Sequence, residues 1–382
     1  MQRNARSRRR LLGLIAAATA TLGALLLAEL ALRLFVAKPR PLGDLSYETE
    51  AGVPITREEG AAQGRIVPVP PPRPRLRYMF APDQTFFLCY SDNDVLRRDW
   101  LDARGRVAVH INKAGIRDDD DLVFDAPKPV GERRIVCIGD SFTFGWGVPA
   151  ESGWVRLLQD ALRRDGLPVR TVNCGASGTN CVDEYVCGLQ NRFHRFGPDA
   201  VVMTLCLNDL IPCDGLAVYG PSPATGIRLF DLALGALGRS PLDLDPRRDW
   251  VGELLALTAD TNDPHNGTDS PFDAMWATGV PQRCMREAKA WCDERHIPFL
   301  VVLWPFLQGL GSGRWYPFQK LHDLVAADCK AADIPFLDVL PALAGTPQED
   351  LWVTPTDLHA NPMAQRLAAP RIVAFVRQHT QL

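Results

Sequence analysis

From Arg133 onward the chain alternates short, continuous apolar runs with amphipathic stretches, and this rhythm limits the possible folds more than any other feature. Arg134–Gly139, Val169–Asn173, Asp199–Leu205, Pro298–Leu303 and Ile334–Val339 read as strands. Between and after them, Gly153–Arg164, Asp183–Phe196, Gln282–Glu294, Phe318–Ala331 and Pro362–His379 have helical spacing; in the first, Trp154, Leu157, Leu158, Ala161 and Leu162 share one side. Strands without polar alternation are buried on both faces, as in a parallel sheet sandwiched between helices. The expected fold is therefore α/β in three layers, with right-handed crossovers bringing the carboxyl ends of the strands to one edge, where ligands bind.

The loops at that edge hold the reactive residues. The first strand runs into Gly139-Asp140-Ser141-Phe142-Thr143, so Ser141 stands at the sheet edge, where a nucleophile belongs. Alone, this tripeptide reads equally well as a turn in which Asp140 and Ser141 bond to local backbone. The second strand ends in Asn173-Cys174-Gly175-Ala176-Ser177-Gly178, where a glycine amide can face a developing oxyanion or simply serve a strand-to-helix turn. The third ends in Leu205-Cys206-Leu207-Asn208-Asp209; the Asn208 amide is either a second oxyanion donor or a turn cap. Near the C-terminus comes Thr356-Asp357-Leu358-His359-Ala360-Asn361-Pro362. Asn361 and Pro362 open the last helix, which leaves His359 on the loop before it. Residues two apart in an extended segment point the same way, so Asp357 can reach Nδ1 of His359 and leave Nε2 for a serine.

The N-terminus has a different character. Arg3, Arg6, Arg8, Arg9 and Arg10 form a basic head (residues 1–10), followed by an uncharged apolar run from Leu11 to Ala28. Eighteen residues at ~1.5 Å rise reach about 27 Å, close to the hydrocarbon thickness of a bilayer. Residues 11–36 read as a transmembrane signal anchor; the apolar run continues well past Ala18-Thr19-Ala20, which favours a retained anchor over a cleaved signal peptide. The excess of arginine before the span puts the head in the cytoplasm and exports the rest, to the periplasm or cell exterior. Residues 37–77 read as a Pro-rich linker, 78–132 as an N-terminal cap segment with short strands, and 133–382 as the main domain, interrupted by an insertion at 214–280 that carries Phe230, Trp250, Phe272 and Trp276 and reads as a lid or as a structural excursion. The net charge of −3 offers no basic surface for nucleic acid. The ten cysteines include no Cys-x-x-Cys pair, and one or two disulfides are plausible among Cys174, Cys181, Cys187, Cys206 and Cys213. Asp118–Asp121 reads as a solvated acidic loop.

Ser, Gly, Asn and Asp/His, supplied in that order by four loops, reproduce the block order of the SGNH (GDSL-like) hydrolases, and residues 133–379 closely resemble that family. Ile111-Asn112-Lys113-Ala114-Gly115-Ile116-Arg117 ahead of the Gly-Asp-Ser block resembles a membrane-anchored bacterial branch. The resemblance implies a flavodoxin-like three-layer fold and serine ester chemistry that needs no metal or cofactor. It implies Ser141 as nucleophile, His359 as general base and then acid, Asp357 as its orienting carboxylate, and the Ser141 amide, Gly178 and Asn208 as the oxyanion hole. Two departures stand out: Cys206 replaces the usual glycine of the third block, and the acid lies two residues before the histidine rather than three. The shorter spacing is similar to that of some polysaccharide acetyltransferases, so the implied substrate is an ester or an acylated glycan or lipid, with O-acyl transfer to a glycan as the alternative outcome. A catalytically inactive, anchored glycan-binding module is the non-enzymatic alternative. The sequence names no protein partner.

Overall fold

The computed structural model describes residues 2–35, 46–55, 63, 65–68, 78–90, 98–176, 182–210, 276–311, 316, 318–354 and 357–381. The chain divides into two compact units, residues 1–41 with 215–248 and residues 42–214 with 249–382. In the first, the described element is helix α1 (Gln2–Phe35), whose segment Leu12–Leu32 is long and apolar enough to cross a membrane.

The second unit is built on a five-stranded parallel sheet. Its strands are β7 (Arg133–Gly139), β8 (Val169–Gly175), β9 (Ala200–Leu205), β10 (Phe299–Leu303) and β11 (Phe336–Asp338), in spatial order β11-β10-β9-β7-β8. Every residue of β9 and β10 is buried, which explains their unbroken apolar sequences. The strand order reverses between β7 and β9, the flavodoxin-like arrangement in which a crevice opens beyond the carboxyl ends at the switch point. Ser141 follows β7 and Asn208 follows β9, so both flank that crevice.

Helices cover the sheet as the periodicity predicts. After the short α2 (Ser141–Phe144) come α3 (Trp154–Arg164), α4 (Val182–Asn191), α5 (Val280–Asp293), α6 (Gln319–Ala331), the single turns α7 (Leu340–Leu343) and α8 (Gln348–Leu351), and α9 (Pro362–His379). Helix α3 packs against α9, and α4 against α5. The helix expected over Asp183–Phe196 stops at Asn191, whose side-chain amide donates to the Cys187 carbonyl at 2.9 Å and competes with the helical ladder; a 3-10 turn, Phe193–Phe196, follows.

The stretch read as a linker needs correction. Within residues 37–77, β1 (Ser46–Thr49), β2 (Pro54–Ile55) and β3 (Ile66–Pro68) are strands. β1 pairs antiparallel with both β2 and β5 (Gln84–Cys89), β5 pairs with β6 (Arg106–Ile111), and β3 pairs with β4 (Tyr78–Phe80). Their brevity and proline content hid them; β1 is held by β5, tens of residues downstream, β2 by β1 and β3 by β4. The four-stranded sheet β2-β1-β5-β6 turns Phe86, Leu88, Val107, Val109 and Ile111 toward Phe144, Trp146, Val148 and Val353, forming a second core against the loop that bears Ser141.

The acidic run is not a solvated loop throughout. Asp118 is buried and accepts from the Asn173 amide at 2.8 Å, while Arg156 and Arg170 pair with Asp119. Burial, opposed by those amide bonds and the arginine charges, pushes the Asp118 carboxyl up to about 6. Cys174 and Cys187 are free thiols and Cys206 is in no disulfide among the described residues, whereas Cys181 and Cys213 lie outside the described residues. So does the insertion up to residue 275. Trp276, at its end, is buried and donates through Nε1 to Asp328 Oδ2 at 2.9 Å, so this ring packs on α6.

Candidate active site

The Gly-Asp-Ser loop folds as it does because Asp140 caps a helix. Its Oδ1 accepts from Phe142 N at 2.9 Å, starting the four-residue α2 at Ser141; Gly145, with φ of +81°, closes the turn. Buried Arg117 donates to the carbonyl oxygens of Phe144, Gly145 and Val148, satisfying groups that this short helix and its exit leave open. The turn reading of Gly-Asp-Ser holds: Asp140 caps the turn, and Ser141 is its first helical residue.

The opposite wall comes from the C-terminal loop. β12 (Trp352–Thr354) pairs antiparallel with β13 (Asp357–Ala360), which carries both Asp357 and His359. Asn361 fixes this hairpin: its Oδ1 caps α9 by accepting from Met363 N and Ala364 N, and its Nδ2 donates to the carbonyls of Asp350 and Trp352 at 2.7 and 3.0 Å.

The two walls meet in a hydrogen-bonded chain. His359 Nε2 lies 2.8 Å from Ser141 Oγ, and His359 Nδ1 lies 2.5 Å from Asp357 Oδ1. The second carboxylate oxygen of Asp357 accepts from Tyr90 Oη at 2.7 Å and from Trp146 Nε1 at 3.1 Å. The rings of Phe142 and Trp146 lie 5.8 and 6.0 Å from the imidazole.

The electrostatics follow from this arrangement. For Asp357, burial favours the neutral acid, but the His359 charge and the bonds from His359 and Tyr90 outweigh it and hold the carboxyl below its ordinary range. For His359, burial opposes the charge, yet Asp357 and Asp140 raise the imidazole above its ordinary value; the side chain keeps 32% of its exposure, so desolvation acts on only part of the ring. Burial pushes Asp140 up to about 6 against its bonds to Phe142 and Ser141 and the His359 charge. Asp209, which accepts from Cys206 N at 2.7 Å, is raised well above the ordinary carboxylate range by burial and by the Asp140 charge.

Of the residues singled out from sequence, Ser141, Asp357 and His359 are thus brought together. Asn208 lies in the 3-10 turn Leu207–Leu210 after β9, with its side chain outside the described atoms, and Gly178 lies outside the described residues. Sequence reasoning missed Tyr90, Trp146 and Arg117 as contributors to the site. No local pattern marks the first two; Arg117 was visible only as the end of the Ile111–Arg117 motif. Among the described residues no group of three His, Cys, Asp or Glu side chains is arranged to hold a metal ion.

The family model for the GDSL-like lipase/acylhydrolase family matches residues 137–367, more than half of the chain. The chain belongs to the GDSL-like lipase/acylhydrolase family. It is an ester-cleaving hydrolase by that membership. No curated protein matches it. Similar solved structures include the lipase/acylhydrolase from Enterococcus faecalis, 18% identical, covering 65% of this chain and 97% of that one with a TM-score of 0.38. The psychrotrophic esterase EstA from Pseudoalteromonas sp. is 14% identical, with 64% and 97% covered and a TM-score of 0.39. An acetyl xylan esterase is also 14% identical, with 64% and 99% covered and a TM-score of 0.39. The family membership rests on the model match.

Proposed function

We propose that this acylhydrolase works through Ser141, His359 and Asp357, and that α1 tethers it to a membrane with the hydrolase unit outside the cytoplasm. The observation that carries the catalytic reading is the continuous chain Ser141 Oγ–His359 Nε2, His359 Nδ1–Asp357 Oδ1 at 2.8 and 2.5 Å. Ser141 attacks the ester carbonyl as its proton passes to Nε2. Asp357, ionised and saturated with donors, holds the Nδ1–H tautomer and stabilises the imidazolium that forms. The tetrahedral oxyanion rests on the Ser141 amide, with Gly178 N–H and the Asn208 amide as further donors, each worth about 3 kcal/mol in the transition state. His359 then protonates the departing alcohol. The acyl-enzyme is resolved when a water, deprotonated by His359, attacks it; a glycan hydroxyl in the place of that water makes the same site a transferase.

The substrate reading is an acyl or acetyl ester of a cell-envelope glycan or lipid. It follows from an anchored, exported hydrolase, since the arginine-rich head before α1 favours a cytoplasmic N-terminus. The test of the chemistry is hydrolysis of p-nitrophenyl acetate and butyrate by the full chain in detergent, compared with Ser141→Ala and His359→Ala. The wild type is expected to turn over and both variants to lose at least about a thousandfold of kcat. Wild-type rates in Ser141→Ala overturn the assignment. For topology, protease added to spheroplasts, freed of any outer membrane, is expected to digest the hydrolase unit; protection until the cytoplasmic membrane is lysed contradicts export.

A further inference from the structure

Among the described residues the Asp357 carboxylate accepts from three residues, and two of them, Tyr90 and Trp146, lie outside the Gly139–Thr143 and Thr356–Pro362 stretches. Oδ1 accepts from His359 Nδ1 and from His359 N at 3.3 Å. Oδ2 accepts from Tyr90 Oη and Trp146 Nε1. Tyr90 follows the last residue of β5, 267 positions before Asp357 in sequence, and its main-chain amide donates to Gly105 O at 2.9 Å. The N-terminal sheet therefore sends a hydroxyl through the second core to the buried end of the Ser141–His359–Asp357 chain.

The surroundings are shaped for that hydroxyl. Gly147 has φ of +74°, and a Cβ there would stand 2.5 Å from Tyr90 Oη and 2.8 Å from Val353. The missing side chain leaves the tyrosine its path. Two neighbours tie the surrounding segments together: Trp100 Nε1 donates to Gly147 O at 3.2 Å, and Arg98 Nε donates to Val353 O at 3.3 Å. A phenylalanine at position 90 would fill the same apolar volume, so packing alone does not call for an oxygen here. Without the two donors, Oδ2 of this buried carboxylate would lose the hydrogen bonds that fix its plane. With them, rotation of the carboxylate is blocked and Oδ1 stays directed at Nδ1.

We propose that Tyr90 and Trp146 are positioning residues for the proposed catalytic chain, and that the N-terminal strands are a working part of the active site. The inference rests on the assignment of Ser141, His359 and Asp357 given above. Two carboxylates, Asp357 and Asp140, act on the imidazole charge. Each donor on Oδ2 draws negative charge away from the imidazole. Loss of a donor leaves more of that charge facing the imidazolium and loosens the carboxylate plane. Activity should therefore fall and its acid limb should move to higher pH.

The experiment compares full-length wild type with Tyr90→Phe, Trp146→Phe and the double variant, in p-nitrophenyl acetate hydrolysis over a range of pH. Rates are normalised to active sites titrated to completion with a fluorophosphonate, and thermal unfolding is followed in parallel. Tyr90→Phe is expected to lower kcat about ten- to hundredfold, the range of one hydrogen bond to a charged group, with KM little changed. The ascending limb should shift alkaline, and the double variant should fall further toward Asp357→Asn. Val107→Ala, which loosens the same core without touching Asp357, should lower the melting temperature and leave the limb where it is. A Tyr90→Phe protein with wild-type kcat and an unmoved limb overturns the proposal, as does one whose whole loss tracks its loss of titratable sites. Failure of the underlying assignment has a different signature, namely full activity in Ser141→Ala.

Discussion

Gly175 closes β8 against the back of the Gly-Asp-Ser turn, and replacing it by alanine tests how tightly the sheet fixes Ser141. A Cβ built there stands 2.2 Å from Phe144 N, 2.6 Å from Thr143 C and 2.7 Å from Phe144 Cα. All three are main-chain atoms, so no rotamer change can relieve the contact. The shortest of them is ~1.3 Å inside the separation of about 3.5 Å at which non-bonded atoms attract, so β8 and α2 must move apart by about that much. Overpacking of this kind costs about 1–3 kcal/mol, or roughly 2–4 °C of melting temperature per kcal/mol for a domain of this size. The kinetic effect should be larger than the stability effect suggests. His359 Nε2 lies 2.8 Å from Ser141 Oγ, and a displacement of ~1 Å in a reacting geometry costs about a hundredfold. Gly175→Ala is therefore expected to fold, to melt several degrees lower, and to lose about two orders of magnitude in kcat. Gly345→Ala, where a Cβ meets nothing within 4 Å, is the matched control and should behave as wild type. Ester hydrolysis alongside thermal unfolding decides the matter: a Gly175→Ala enzyme within about threefold of wild-type kcat would refute the claim that this strand end sets the position of the serine.

Three further outcomes follow from the same geometry. Asn361→Ala removes the cap of α9 and the donor to two carbonyls at once, and should cost about 2–4 kcal/mol in urea unfolding; a loss below ~0.5 kcal/mol would show that the hairpin does not depend on it. Asp140 and Asp209 hold protons in the folded state above the ordinary 3.8, so the folded chain binds more protons than the unfolded one and their contribution to stability falls as pH rises from 3.8 toward neutral. Asp209→Asn should flatten that slope and match or exceed wild-type stability at neutral pH, and a steeper slope in urea melts across the acid range would contradict it. Because His359, as the proposed base, must be neutral to accept the serine proton and its pKa is raised above 6.5, kcat/KM should rise with pH to an inflection above 6.5; in Asp357→Asn, which removes the charge that raises it, any residual activity should inflect lower.

How much of this was legible in the sequence depends on the distance over which each feature is determined. Strands β7 to β11 could be read to within about two residues because burial on both faces leaves an unbroken apolar run, a local signal. Asp357 and His359 could be paired because they sit two apart on one extended strand, and Asn361-Pro362 marked the helix that follows them. The short N-terminal strands were not legible. β1 has four residues and β2 two, and each is defined by the edge it joins rather than by its own composition. Tyr90 and Trp146 were hidden for the same reason: their polar atoms reach a carboxylate more than two hundred residues away, and nothing near either residue in sequence announces it. The acidic run at Asp118 was misread because the arginines that claim it, Arg156 and Arg170, lie in later elements.

The central claim is that Ser141 is a nucleophile activated by His359. The most direct test is to label the full chain with a fluorophosphonate and map the adduct by peptide mass spectrometry. One adduct on the Arg134–Arg156 stretch at Ser141, formed rapidly in wild type and slowed by orders of magnitude in His359→Ala, is the expected result. An adduct at another residue, or ester turnover by a chain whose Ser141 stays unlabelled, would contradict it.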